Sequence, residues 1–113
     1  MIVCWRTVAV PDRERARFRA WIAENRSVRE RHGICGELVL ERADGDRETV
    51  VVTLWPSHEV FDAWIATADR DRLTASDVHR AVEYGPICRY DVTGGYLNLN
   101  GLAEADPTPE GTG

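Results

Sequence analysis

Residues 34–55 read ICGELVLERADGDRETVVVTLW, and residues 56–66 continue PSHEVFDAWIA. Two strand-like runs flank Asp44-Gly45, a dipeptide that suits a tight hairpin turn because glycine accepts positive φ. Pro56-Ser57 closes the second run, and Ser57 is placed to cap a helix that starts at His58. On that helix Val60, Phe61, Trp64, Ile65 and Ala68 fall on one face.

Upstream, IVCWRTVAV (residues 2–10) is β-branched and aromatic, and Pro11 follows it, so it reads as a strand. Asp12 is then the expected N-cap of a first helix that runs to about Arg31 and stops at Gly33. Downstream, DRDR (69–72) is expected to interrupt the second helix. A further helical piece is expected from about Ala75 to Tyr84, ended by Gly85-Pro86. ICRYDVT (87–93) reads as the last strand, with YLNLN (96–100) as its extension beyond Gly94-Gly95. The acidic, Pro- and Gly-rich tail, 103–113, reads as disordered. One domain over residues 1–102 is expected to precede it.

The order β-α-β-β-α-β predicts an α+β, ferredoxin-like fold, an antiparallel sheet with its helices on one face. FRAWIA (18–23) and FDAWIA (61–66) put the same phrase into the helix of each half, each lending Phe, Trp and Ile to the sheet. IVCWRTVAV and TVVVTLW hardly alternate, although a sheet with one wet face should. Both faces of these strands read as apolar, and helices can cover only one. A homodimer packed sheet against sheet follows.

The chain has 113 residues and a net charge of −5, and all 14 of its cationic residues are Arg. With no basic block, no nucleic-acid partner is expected. No apolar run is long enough for a membrane span, and MIVCWR does not read as a signal peptide, so no membrane association and a cytoplasmic location are expected. Cys4, Cys35 and Cys88 are far apart and odd in number, so neither a disulfide framework nor a metal site is expected.

The element order, with Trp55, Ser57, Phe61 and Trp64 in W-x-S-x-x-x-F-x-x-W, resembles the antibiotic biosynthesis monooxygenase (ABM) family across roughly residues 2–100. The resemblance implies a dimeric α+β barrel. Some members oxidise aromatic polyketides with O2 and no metal or flavin; others bind and degrade heme; related proteins are cyclases. For the heme branch the resemblance implies an Asn on strand one, where this chain has Arg6, and a Trp matched by Trp64. The iron-ligating His falls on Leu73 or Ser76, which leaves His79 as the candidate heme ligand. An Asn that some oxygenases place before the strand-three Trp is Val51 here.

Helix one carries Asn25, Arg29 and His32 in the stripe of Phe18, Trp21, Ile22 and Val28. Polar groups on a core face need partners, and a ligand cavity would supply them. Asn25, Arg29 and Trp64 are therefore the candidate catalytic set: Arg29 to stabilise an anion, Asn25 as its hydrogen-bond partner, Trp64 as a wall. Trp5, Arg6, His32, Trp55, Phe61 and His79 are the candidate substrate contacts. Trp5 and Arg6 point to opposite faces of their strand, in an order that the pattern leaves open. Trp21 reads as core, and Tyr84 and Tyr90 as phenolate donors or edge residues. The expected function is cofactor-independent oxygenation of a hydrophobic, aromatic, polyketide-like molecule by O2 in natural-product biosynthesis. The alternatives are a heme-binding or heme-degrading protein, and a cyclase or small-molecule-binding module.

Overall fold

The computed structural model describes residues 1–45 and 48–97. The strands are β1 (Ile2–Ala9), β2 (Gly36–Glu41), β3 (Thr49–Trp55), β4 (Glu83–Tyr84) and β5 (Cys88–Asp91). The helices are α1 (Arg15–Glu24), α2 (Arg26–Arg31), α3 (His58–Ile65), α4 (Ala68–Thr74) and α5 (Asp77–Arg80). The sheet is antiparallel with the order β2-β3-β1-β4, and β5 also pairs with β1. β4 lies against Val8 and Ala9, β5 against Ile2 to Trp5, so the two form one edge strand broken at residues 85–87. This is the expected α+β, ferredoxin-like arrangement.

Strand alternation sorts the side chains. Ile2, Cys4, Arg6 and Val8 of β1 share a face with Trp55, Thr53, Val51 and Thr49, their cross-strand partners. That face carries the core, in which Ile2, Cys4, Val8, Thr49 and Trp55 are all buried. The core has two clusters. One gathers Ile2, Cys4, Ile34, Trp55, Phe61 and Trp64; the other gathers Val8, Val10, Phe18, Ile22 and Val82. Each FxAWIA phrase thus anchors a cluster of its own, and burying each Phe contributes about 1.5–3 kcal/mol. The opposite face holds Val3, Trp5, Val50, Val52 and Leu54 with Leu38 and Leu40 of β2, which are 52% and 45% exposed.

Several boundaries differ from expectation. The chain enters α1 through a 3-10 turn, Asp12–Glu14, capped by the Pro11 backbone rather than by the Asp12 side chain. The first helix is two helices. At Asn25 the backbone leaves helical geometry, with φ of −99° and ψ of 10°, and this divides α1 from α2; its backbone N–H and its side-chain amide both donate to the Trp21 carbonyl, at 3.1 and 2.9 Å. DRDR does not interrupt the second helical region; it lies inside α4. The break falls at Ala66-Thr67, where the Thr67 hydroxyl accepts from Arg70 N at 3.1 Å and starts a new helix. Ser76 caps α5 in the same way, and the chain leaves helix before Tyr84, which belongs to β4. Residues 96 and 97 form no strand, and the rest of YLNLN and the tail 103–113 lie outside the described residues.

Two glycines are fixed by space. Gly33 has φ of 105°, and a Cβ there would meet Val60 Cγ1 at 2.5 Å. A Cβ on Gly85 would meet the Thr7 hydroxyl at 2.6 Å, because Gly85 N donates to Thr7 O at 2.8 Å across the broken edge. Gly33→Ala combines an unfavourable φ with a clash against α3. It should cost about 1–3 kcal/mol in urea unfolding with an unchanged m-value, whereas Gly45→Ala at the open hairpin turn pays only for its φ and should cost less.

Candidate functional site

The two clusters are kept apart by Arg6. It is the one charged residue on the core face of β1, between Cys4 and Val8. Its Nε and Nη2 both donate to the Gly85 carbonyl, at 3.0 and 2.8 Å, and its guanidinium lies 4.6 Å from the centre of the Tyr84 ring. Burial pulls its pKa down. A cavity of about 150 Å³ opens between helices and sheet at this seam. Its aromatic walls include Phe18, Trp21, Trp55, Phe61, Trp64 and Tyr84, drawn from both clusters.

Trp55 packs edge-on to Phe61 at 5.2 Å and stacks on Trp64 at 6.2 Å. This accounts for the spacing of W-x-S-x-x-x-F-x-x-W: the strand end supplies one ring, Ser57 starts α3, and one turn of α3 brings the other two rings onto it. Across the cavity Trp21 meets Phe18 at 6.1 Å and the His79 ring edge at 5.9 Å.

His79 stacks on Tyr84 at 4.3 Å with only 18° between the ring planes. Burial first, then the charges of Arg70 and Arg6, depress its pKa below the ordinary histidine value, so the imidazole is neutral at pH 7. The Tyr84 hydroxyl is buried and has no hydrogen-bond partner among the described residues. Burial pushes its pKa up to about 12, against the opposing charge of Arg6. It is therefore a permanent O–H donor at neutral pH.

Arg29 lines the cavity but is held by the protein itself. Its Nη2 donates to the Ile22 carbonyl at 2.5 Å and lies 2.7 Å from Glu37 Oε2. Asn25 and His32 do not line the cavity. The Asn25 side-chain amide donates to Trp21 O, and Asn25 meets Arg29 through the backbone, where Arg29 N donates to Asn25 O at 3.4 Å. His32 bonds Asp69 at 2.9 Å and leans on the Trp64 ring at 5.2 Å. Arg6, Trp55, Phe61, Trp64 and His79 do come together around the cavity. Trp5 borders it from a position whose side chain alternates to the outer face, opposite Val52 and Cys88, which resolves the choice between Trp5 and Arg6.

Trp21, Glu37 and Arg70 also line the cavity, though the sequence reading gave none of them a place there. The repeated FxAWIA was the available signal for Trp21. Glu37 shares the core face of β2 with Val39, which alternation could have shown. Cys4, Cys35 and Cys88 are free thiols. Among the described residues no three His, Cys, Asp or Glu side chains are grouped to hold a metal, and no helix is long and apolar enough to cross a membrane.

No protein-family model and no curated protein sequence matches the chain. Solved structures do. A candidate antibiotic biosynthesis monooxygenase from Deinococcus radiodurans superposes with a TM-score of 0.67 at 17% identity, over 88% of this chain and 98% of that one. SnoaB, a cofactor-independent oxygenase from Streptomyces nogalater, gives 0.66 at 17% identity, over 87% and 95%. MhuD, a heme-degrader from Mycobacterium tuberculosis with two hemes bound in its active site, gives 0.69 at 19% identity, over 86% and 100%. The chain has the fold of the ABM proteins, and that fold serves more than one chemistry.

The Arg29–Glu37 pair sets a structural expectation. Arg29→Ala leaves the buried Glu37 carboxylate with only the longer contact to Arg26, at 3.8 Å, and should cost about 3 kcal/mol in chemical denaturation. Pairing it with Glu37→Leu should recover a large part of that loss. Additive losses in the double variant would show that the ion pair is not what holds α2 to β2.

Proposed function

We propose that this protein is a cofactor-independent monooxygenase that binds an aromatic, phenolic small molecule in the cavity and acts as a homodimer. The observation that carries the reading is a neutral, partly buried His79 at the wall of a cavity lined with tryptophan and phenylalanine. Such a site desolvates a phenol, presents a base to its hydroxyl, and surrounds the developing anion with fixed charge.

The chemistry closes without a further reductant. An imidazole nitrogen of His79 takes the phenol proton. The phenolate passes one electron to O2, and the radical pair recombines at a ring carbon to form a hydroperoxide. The proton held by His79 completes the hydroperoxide, and that carbon's hydrogen and the distal OH then leave together as water, which leaves a carbonyl. A phenol with an open para position and one O2 become a quinone and one water. Trp21 and Trp64, on opposite walls, hold the ring plane; Arg6 lies close enough to His79 for its charge to act there. Arg29, tied to Glu37, keeps the helical wall in place.

The residues do not fit a heme iron. His79 is the candidate ligand, and its ring is fixed in place by Tyr84, stacked on one face, and by Trp21 in T-shaped contact. Arg6 and Arg70 also bring positive charge to the place where a ferric ion would sit.

The homodimer rests on the outer sheet face. Leu38, Leu40 and Tyr90, each about half exposed, continue the surface of Val3, Val50, Val52 and Leu54 across the strands. An apolar sheet face of this kind is costly to leave in water.

Two measurements test the proposal. In air-saturated buffer with 1-naphthol and related phenols, O2 uptake should match quinone formed one to one. His79→Gln should lower kcat about a hundredfold or more while ligand binding persists. The wild-type kcat/KM should fall as pH drops through a histidine pKa below 6.5, since protonation removes the base. Unchanged turnover in His79→Gln would remove its role, and a panel that binds without O2 uptake would favour a binding module. Light scattering should give twice the chain mass of 12.7 kDa, and Leu38→Glu should shift it toward one. A wild-type monomer would refute the dimer.

A further inference from the structure

The cavity's charge is uneven, and the unevenness has a direction. Three arginines line it, Arg6, Arg29 and Arg70, against one carboxylate, Glu37. Glu37 is taken up by Arg29 at 2.7 Å. Arg6 gives two N–H groups to a neutral carbonyl, so its charge is uncompensated. Arg70, half-buried on α4, has no acceptor or ion-pair partner for its side chain among the described residues. Its backbone N–H is used in the Thr67 cap, which fixes where the side chain departs.

These two cations act on each other and on the same histidine. Arg70 depresses the pKa of Arg6 after burial, and both depress that of His79. Like charges gathered in a partly enclosed space destabilise the empty protein. In a chain of net charge −5 they do not reflect a general excess of base. The adjoining Tyr84 hydroxyl is buried without a partner and remains protonated. Two guanidinium groups and a phenol offer donors; the Tyr84 hydroxyl is buried without an acceptor, which is costly, and an anion would answer it while balancing the two charges.

We propose that Arg6, Arg70 and Tyr84 form an oxyanion subsite, and that the natural ligand is an aromatic acid whose carboxylate lies there while its rings lie against Trp21 and Trp64. This rests on the reading of the cavity as the substrate site. It adds a substrate class: a hydroxyaryl carboxylate rather than a neutral phenol. Carboxylate and guanidinium match as planar groups, and the Arg6 clamp on Gly85 orients one of the two before ligand arrives.

The test compares 6-hydroxy-2-naphthoate with 6-hydroxy-2-naphthamide, alike in shape and different in charge, by calorimetry on the full chain. Wild-type protein should bind the acid about tenfold or more tightly than the amide. Arg70→Gln should bring the two within about threefold, chiefly by weakening the acid, and Arg70→Lys should keep part of the preference. Because the Arg70 side chain holds no partner and repels Arg6, Arg70→Gln should keep or raise the melting temperature of the empty protein. Tyr84→Phe should weaken the acid more than the amide. Equal binding of acid and amide, binding of neither, or a preference that survives Arg70→Gln would overturn the subsite. Binding is read without turnover, so the two proposals fail separately. A charge preference with no O2 uptake leaves the subsite standing and removes the oxygenase; uptake of O2 with neutral phenols and no charge preference does the reverse.

Discussion

One arginine in the wrong-looking place organises this molecule. Arg6 stands on the core face of the central strand, where the alternation of Ile2, Cys4 and Val8 calls for an apolar side chain. A guanidinium cannot be surrounded by hydrocarbon without acceptors. It therefore finds the carbonyl of Gly85, and Gly85 can approach because it has no Cβ to meet Thr7. The edge strand breaks at that point into β4 and β5. The core separates into two clusters on either side, and the cavity opens in the seam.

Other features depend on that seam. Tyr84 enters beside Arg6 from β4, and its ring gives His79 a surface to stack on. His79 is buried enough, and close enough to two arginines, to stay neutral. Trp21 and Trp64 line the gap from α1 and α3, one from each copy of FxAWIA. The repeated phrase thus serves one packing task twice, and both tryptophans face the cavity that the packing leaves. In the region of α2, Arg29 and Glu37 bind one another and close the wall.

The stability and the chemistry draw on different parts of the chain. Trp55, Phe18, Ile2 and Thr49 are nearly inaccessible, and they hold the sheet and helices together. The groups suited to chemistry are only half-buried, carried on short helices and a two-residue strand. α5 has four residues and depends on its Ser76 cap and on the stacking of His79. Local order there comes from side chains rather than from a long hydrogen-bonded ladder, so substitutions near His79 are expected to move function and local structure together.

The hairpin around Asp44-Gly45, the Ser57 cap and the 3.6-residue spacing of Val60, Phe61, Trp64 and Ile65 were legible in the sequence, because each is a short-range demand of backbone geometry. They were enough for the element order and hence for the fold. The same pattern showed that Trp5 and Arg6 face opposite ways. Only the packed sheet decided which of them faces the core, since register relative to β3 and β5 is a long-range property. Asn25 looked like a site residue on helical spacing alone; a local bond from its side chain to Trp21 O turned it away from the cavity. Arg70 sat inside DRDR, a run that reads as a solvated break. It reaches the cavity because Thr67 restarts the helix one turn before it, and a cap's consequence for a side chain's direction exists only once the neighbouring elements are in place.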